Sequence, residues 1–321
     1  MGIKNLFKEA AGKYSHETSE LVFLPENRYN EKIFVTQGQY DWLSGQLLYC
    51  LIRYLKPKRI LEISPSSGYS TMFMALALKK NEGGVIFSYE LDPKAAKAAS
   101  VVFKKYQVND FVRLHIGDAR ETSVSVPNDF NLYFLDSLHT DTFARWFIED
   151  HVLKASQSDA LFHMHDILPR HARVRCHNGP PFEGTPLDPN PKISRSKKLK
   201  RTIKKILNME KQVESDRAPL CIYPPLSEKE LHTYDGNCTT EAVLGNDLAT
   251  FMKPDDFVFL YDLIDDYPHL EPQKYSSSFC RYYNRADNKN MPMEWNNSFW
   301  CSVTALKEAY KSLTDQNRSL I

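Results

Sequence analysis

No apolar run in this 321-residue chain approaches the roughly 20 residues that cross a bilayer, so the pattern calls for no membrane span. Cysteine is sparse as well. Cys50, Cys176, Cys221, Cys238, Cys280 and Cys301 lie far apart with no C-x-x-C pair. That argues against a disulfide framework and suits the reduced thiols of a cytoplasmic protein. The Cys176-His177 pair follows His163, His165 and His171, but the spacing matches no standard zinc module. Charge of one sign is lacking too. With 41 Lys and Arg against 40 Asp and Glu, the net charge is +1, so any attraction to nucleic acid or anionic lipid must come from a local patch. The opening MGIKNLFKEAAGKYS has no signal-peptide h-region, and Leu6 stands where a myristoylation signal needs Ser or Thr. Its Ile3, Leu6, Phe7 and Ala10 share one helical face, which predicts a docked or frayed helix rather than a membrane anchor. No internal repeat is found.

Glycine is missing where it would be most expected. In ILEISPSSGYSTMFMALAL, residues 60–78, an apolar run ends at Glu62, turns through Ser-Pro-Ser-Ser-Gly and restarts as an alanine-rich helix. Parallel-sheet proteins place such turns under nucleotides and usually fill them with glycines; here only Gly68 remains. Around this turn, strands and helices alternate. Helical spacing covers 38–55 and ends at Lys56-Pro57, and helices are also predicted over 68–81, 93–106 and 140–154. Strands are predicted over 59–64, 84–90, 111–117, 130–136 and 159–166. Continuous apolar strands separated by helices predict an α/β fold whose parallel sheet is covered on both faces. The switch-point rule then puts a ligand at the carboxyl ends of the strands: Ser64, Glu90, Gly117-Asp118, Asp136 and His165-Asp166.

From 167 to 238 the alternation breaks. A loop rich in Pro and Gly leads into KISRSKKLKRTIKKILNMEK, where eight basic and no acidic residues lie from Lys192 to Lys205. Leu199, Ile203, Ile206 and Leu207 give this stretch one apolar helical face. Its charges are read either as a solvated face or as an arm for an anionic substrate; aromatic residues for stacking on RNA are not interleaved. A helix over 240–252, strands over 256–263 and 297–303, and a C-terminal helix complete the pattern. The resulting division is a helical cap (1–56), a ligand-binding core (57–166), a basic insertion or lid (167–238) and the rest of the same domain (239–321).

LEISPSSGYST resembles the first motif of class I S-adenosylmethionine-dependent methyltransferases, especially the catechol and caffeoyl-CoA O-methyltransferases, with Glu62 ending the strand and Gly68-Tyr69-Ser70 opening the helix. The departure is Ser64, where the family usually has glycine. FSYELDPKAAKAA resembles the second motif, and HIGDARE the third. TTEAVLGNDLATF and WNNSFW resemble the closing segments of a branch that includes sugar methyltransferases. The resemblance implies a Rossmann-like fold with a seven-stranded, mostly parallel sheet and a long insertion after the fifth strand. It implies S-adenosylmethionine held by Glu62, Ser64, Gly68, Tyr69, Ser70, Glu90, Asp118 and Asp136, with Glu90 on the ribose hydroxyls and Asp118 on the adenine.

Methyl transfer further requires management of the nucleophile's proton. Relatives with a metal use an acid ending the fourth strand and two residues ending the fifth, and Asp136, His165 and Asp166 match those places. His139 falls where catechol-type enzymes carry a lysine. Two readings stay open. In one, Asp136, His165 and Asp166 bind Mg²⁺ or Mn²⁺, the imidazole favouring Mn²⁺, and His139 is the base. In the other there is no metal, and His139 or His165, near its ordinary pKa of about 6.5, removes the proton alone. The expected activity is O-methylation of a hydroxyl on a sugar or other small molecule. RNA or N-methylation, or a non-catalytic binding protein on the same fold, are the rivals.

Overall fold

The computed structural model describes residues 1–21, 40, 42–123, 126–167, 169, 240–260, 262–263 and 298–319, all within one compact unit. The expectations for the basic stretch at 192–205 and for Cys176 fall outside them. Strands Arg59–Ile63 (β1), Val85–Glu90 (β2), Val112–Ile116 (β3), Leu132–Leu135 (β4), Leu161–Met164 (β5), Phe257–Phe259 (β6) and Phe299–Ser302 (β7) form one sheet. Its order is β3-β2-β1-β4-β5-β7-β6. The first five strands are parallel, and β7 runs antiparallel between β5 and β6. The order reverses between β1 and β4, which places a crevice at their carboxyl ends. This is the Rossmann-like class I arrangement the resemblance implied.

Alternation along the strands sorts the core into two layers, because successive side chains leave opposite faces of the sheet. Ile60, Ile86, Leu132, Phe134 and Trp300 meet one set of helices: Ile3–Tyr14 (α1), Trp42–Leu55 (α2), Tyr69–Lys80 (α3) and Pro93–Lys105 (α4). Leu61, Ile63, Tyr133, Phe162 and Phe299 meet the other set: the short Ala119–Thr122 (α5), Asp141–Phe147 (α6), Thr240–Thr250 (α7) and Val303–Ser319 (α8). The helices start where the sequence supplies caps. Asp92 accepts from the Lys94 N–H before Pro93 at the head of α4, and Thr140 accepts from the Phe143 N–H at the head of α6. Gly45 lets α2 lie directly on α3, since a Cβ there would stand 2.3 Å from the Phe73 ring. Among the described residues no helix is long and apolar enough to cross a membrane.

Candidate active site

The turn between β1 and α3 is strained where glycine is missing. Ser64 sits at φ +67° and Ser66 at +53°, in the left-handed region that costs residues with a Cβ roughly 1–2 kcal/mol. The backbone has therefore kept the conformation glycine would take, and the serines bear it. Ser64→Gly is expected to raise unfolding stability by about 1 kcal/mol, read as a higher urea midpoint at unchanged slope. Gly68, at φ +88°, has a second constraint: a Cβ there would lie 2.6 Å from the Phe103 ring. Packing against α4 is thus one reason this position takes glycine.

Three side chains assigned to the cofactor turn inward. Glu62 is 1% exposed and accepts from the hydroxyls of Ser88 (2.6 Å), Ser70 (2.8 Å) and Thr71 (2.9 Å). Burial raises its pKa to about 7 against the opposing pull of those hydroxyls, and nearby Asp136 adds to the rise. Tyr69 is fully buried, edge-on to Phe73. Ser70 spends its hydroxyl on Glu62. These residues brace the turn from beneath. What the turn could offer a ligand is the head of α3, whose cap at Gly68 makes no side-chain hydrogen bond and whose positive end favours an anion.

Glu90 ends β2 with one oxygen accepting from the Ser66 N–H (2.8 Å) and the other from the Asp92 N–H (2.9 Å). A carboxylate has about four acceptor sites, so each oxygen retains capacity for one hydroxyl of a vicinal diol. Leu91, 68% exposed, follows it, and Leu138, 60% exposed, lies beyond β4. Asp118 caps α5 and is gripped by the Arg120 guanidinium, which holds its carboxyl below the usual range. An adenine amino group would have to share this carboxylate with Arg120.

Beyond β4 and β5 the charged side chains converge. Single ligand atoms of Asp136, His165 and Asp166 lie within 4.8 Å of one another. His165 Nδ1 is 3.2 Å from Asp136 Oδ1 and 3.5 Å from Asp166 Oδ1. Asp166 takes a left-handed backbone, φ +56°. Two carboxylates and an imidazole form a mixed oxygen and nitrogen donor set that fits Mn²⁺ better than Mg²⁺. His163 stays out of this group. It is fully buried, stacked on Phe134 at 3.9 Å and against Trp300 at 4.5 Å, with burial holding its pKa well down.

His139 departs from expectation. Its Nε2 lies 3.2 Å from Asp166 Oδ2 and its Nδ1 lies 2.8 Å from Glu241 Oε2. Burial alone would lower its pKa, but the Glu241 hydrogen bond and the charges of Asp166, Glu241 and Asp136 outweigh it and raise the value to about 10. The imidazole expected to act as a base near 6.5 thus lies between two acids that raise its pKa, at the place where the catechol-type family has lysine. Glu241 itself is 1% exposed, and burial raises it to about 7. Sequence reasoning missed it. It lies 102 residues from His139, and within TTEAVLG an acid in a first helical turn is an ordinary feature.

Residues 61–167 match a family model described as a methyltransferase domain. A catechol O-methyltransferase of Niastella koreensis is 31% identical over 97 residues, 29% of this chain and 43% of that protein. The chain thus spans less than half the length of this curated relative. Among solved structures, the SAH-bound methyltransferase PaMTH1 of Podospora anserina is 26% identical, with 52% of this chain and 64% of that one covered and a TM-score of 0.37. An O-methyltransferase from Bacillus cereus in complex with SAH is 18% identical, with 49% and 73% covered and a TM-score of 0.38.

Proposed function

We propose, from the match of residues 61–167 to a family model described as a methyltransferase domain, that the protein is an S-adenosylmethionine-dependent O-methyltransferase using a divalent metal. Its acceptor, on this reading, is a small molecule whose hydroxyl neighbours a second oxygen, as in a sugar or a catechol. The observation that supports it is the meeting of Asp136, His165 and Asp166 at the same end of the sheet as Glu90 and the uncapped head of α3. The cofactor, when bound, supplies an electrophilic methyl group. On the protein side, Glu90 accepts from the ribose diol, the α3 terminus receives the carboxylate, and Leu91 and Leu138 border the apolar ring. Asp136, His165 and Asp166 would hold the metal, which when bound lowers the pKa of the acceptor hydroxyl and orients it. His139, hydrogen-bonded through Nδ1 to Glu241 and with Nε2 3.2 Å from Asp166, contributes positive charge beside the acceptor oxygen.

Calorimetry with S-adenosylmethionine tests the reading. Glu90→Ala is expected to weaken binding by roughly 1.5–3 kcal/mol, the worth of hydrogen bonds to a charged group. A folded variant with wild-type affinity, or a wild type that gives no heat, would overturn it.

A further inference from the structure

The chemistry above leaves one buried acid without a task. Glu241 lies in the first turn of α7, and its Oε2 is 2.8 Å from His139 Nδ1. Its Oε1 has no hydrogen-bond partner among the described residues. A carboxylate so fully removed from water is costly to keep unless its partner is strong. Beside it, Thr240 accepts the Asp141 N–H through Oγ1 at 2.9 Å. Two successive residues at the head of α7 therefore grip two residues beyond β4, His139 and Asp141. Across the ring, His139 Nε2 meets Asp166 Oδ2 at 3.2 Å, while Asp166 Oδ1 faces His165 Nδ1 at 3.5 Å.

We propose that Glu241 is a positioning residue: it fixes the His139 ring through Nδ1, so that Nε2 holds Asp166 in place beside Asp136 and His165. An imidazole with no bond at Nδ1 can swing about its Cβ–Cγ bond, whereas the Glu241 bond keeps Nε2 facing Asp166. Asp166 needs such a hold, because its backbone is in a conformation that costs energy unless its surroundings enforce it. The arrangement parallels the carboxylates that orient metal-binding histidines, displaced by one residue so that the histidine orients a carboxylate. The proposal takes its use from the methyltransferase reading, but its test does not depend on turnover.

The experiment uses the full chain with Mn²⁺ as probe, followed by electron paramagnetic resonance. The ring N–H proton of His139 is followed by NMR and assigned by its absence in His139→Gln. In Glu241→Ala the ring signal should be lost to exchange, and Mn²⁺ affinity should fall roughly 10–100-fold. Glu241→Gln still offers an acceptor to Nδ1–H, so it should keep the signal and restore affinity to within about threefold of wild type. Affinity for S-adenosylmethionine should be unchanged in both. An intact ring signal with unaltered Mn²⁺ affinity in Glu241→Ala overturns the proposal, as does a lower melting temperature with both readouts kept. If the alanine variant does not fold, Glu241→Met fills the volume without an acceptor and takes its place. Wild-type protein that binds no Mn²⁺ removes the metal from the functional reading, and the ring signal then decides on Glu241 by itself. Failure of wild type to bind S-adenosylmethionine sinks the methyltransferase reading and leaves this test standing.

Discussion

Asp136→Asn should abolish metal-dependent behaviour while sparing the cofactor site. Asp136 contributes one of three atoms grouped within 4.8 Å, and the amide keeps its shape but not its charge. Loss of a ligand should cost Mn²⁺ affinity at least the roughly 10–100-fold that loss of a supporting contact costs. The same substitution removes the negative charge facing His165 Nδ1, so that contact is weakened as well. On the proposed reading, affinity for S-adenosylmethionine rests on Glu90 and the α3 terminus, and it should remain within about threefold, because sites without shared partners act independently. The paired measurement is an Mn²⁺ titration and a cofactor titration on the same sample. Equal Mn²⁺ affinity in wild type and variant would end the metal reading. A loss of both affinities would show that Asp136 supports the turn rather than a metal.

The second large effect concerns stability and pH, and it comes from Glu62. Its pKa of about 7 in the folded protein lies above the ordinary 4.5, so the folded state holds a proton that the unfolded state releases. The stability this contributes is fully present below about pH 4.5 and is lost as pH rises through about 7. For a wholly buried group the loss is on the order of 3 kcal/mol. Glu241 shifts in the same direction, so wild type alone cannot isolate the term. Comparison with Glu62→Gln can: the amide does not titrate, and the gap between variant and wild type should move in the variant's favour from pH 5 to pH 8. Glu62→Ala, in contrast, strips a shared acceptor from Ser70, Thr71 and Ser88 and leaves a cavity, at a cost of about 2–4 kcal/mol near pH 5. Urea unfolding at both pH values measures each. A gap between wild type and Glu62→Gln that is constant with pH would mean that Glu62 is ionised throughout.

The sheet was legible because its evidence is local. Apolar runs such as RILEI and LYFL, caps at Asp92 and Thr140, and Lys56-Pro57 mark where elements start and stop. The strand-end acids were legible for the same reason, since a carboxyl end is a position along the chain. Direction and partnership were not. Whether Glu62 points at a ligand or at three hydroxyls depends on Ser88, 26 residues on, and the role of Gly68 depends on Phe103 in α4. The surroundings of His139 were hidden for a related reason. An imidazole's pKa follows the charges around it, and one of those charges enters from Glu241, across the insertion. Ser64 shows the opposite case: the sequence marked an unusual residue, and the backbone at φ +67° gives the physical meaning of the oddity.

The strand order also sets a timetable for the nascent chain. Among the described residues β6 has no sheet neighbour except β7, and β5 keeps one edge unpaired until Phe299–Ser302 joins it. Everything from Arg59 to Met164 can therefore leave the ribosome and collapse with β5 paired to β4 alone and its outer-edge backbone groups still waiting for β7. Such an edge is a template for pairing with another molecule, and it stays open for more than a hundred further residues of synthesis. At about 5–20 residues per second, that is an interval of several seconds or longer. The demand on chaperones should accordingly fall on this half-built sheet, and slowing translation between β5 and β7 should reduce soluble yield more than slowing it anywhere upstream.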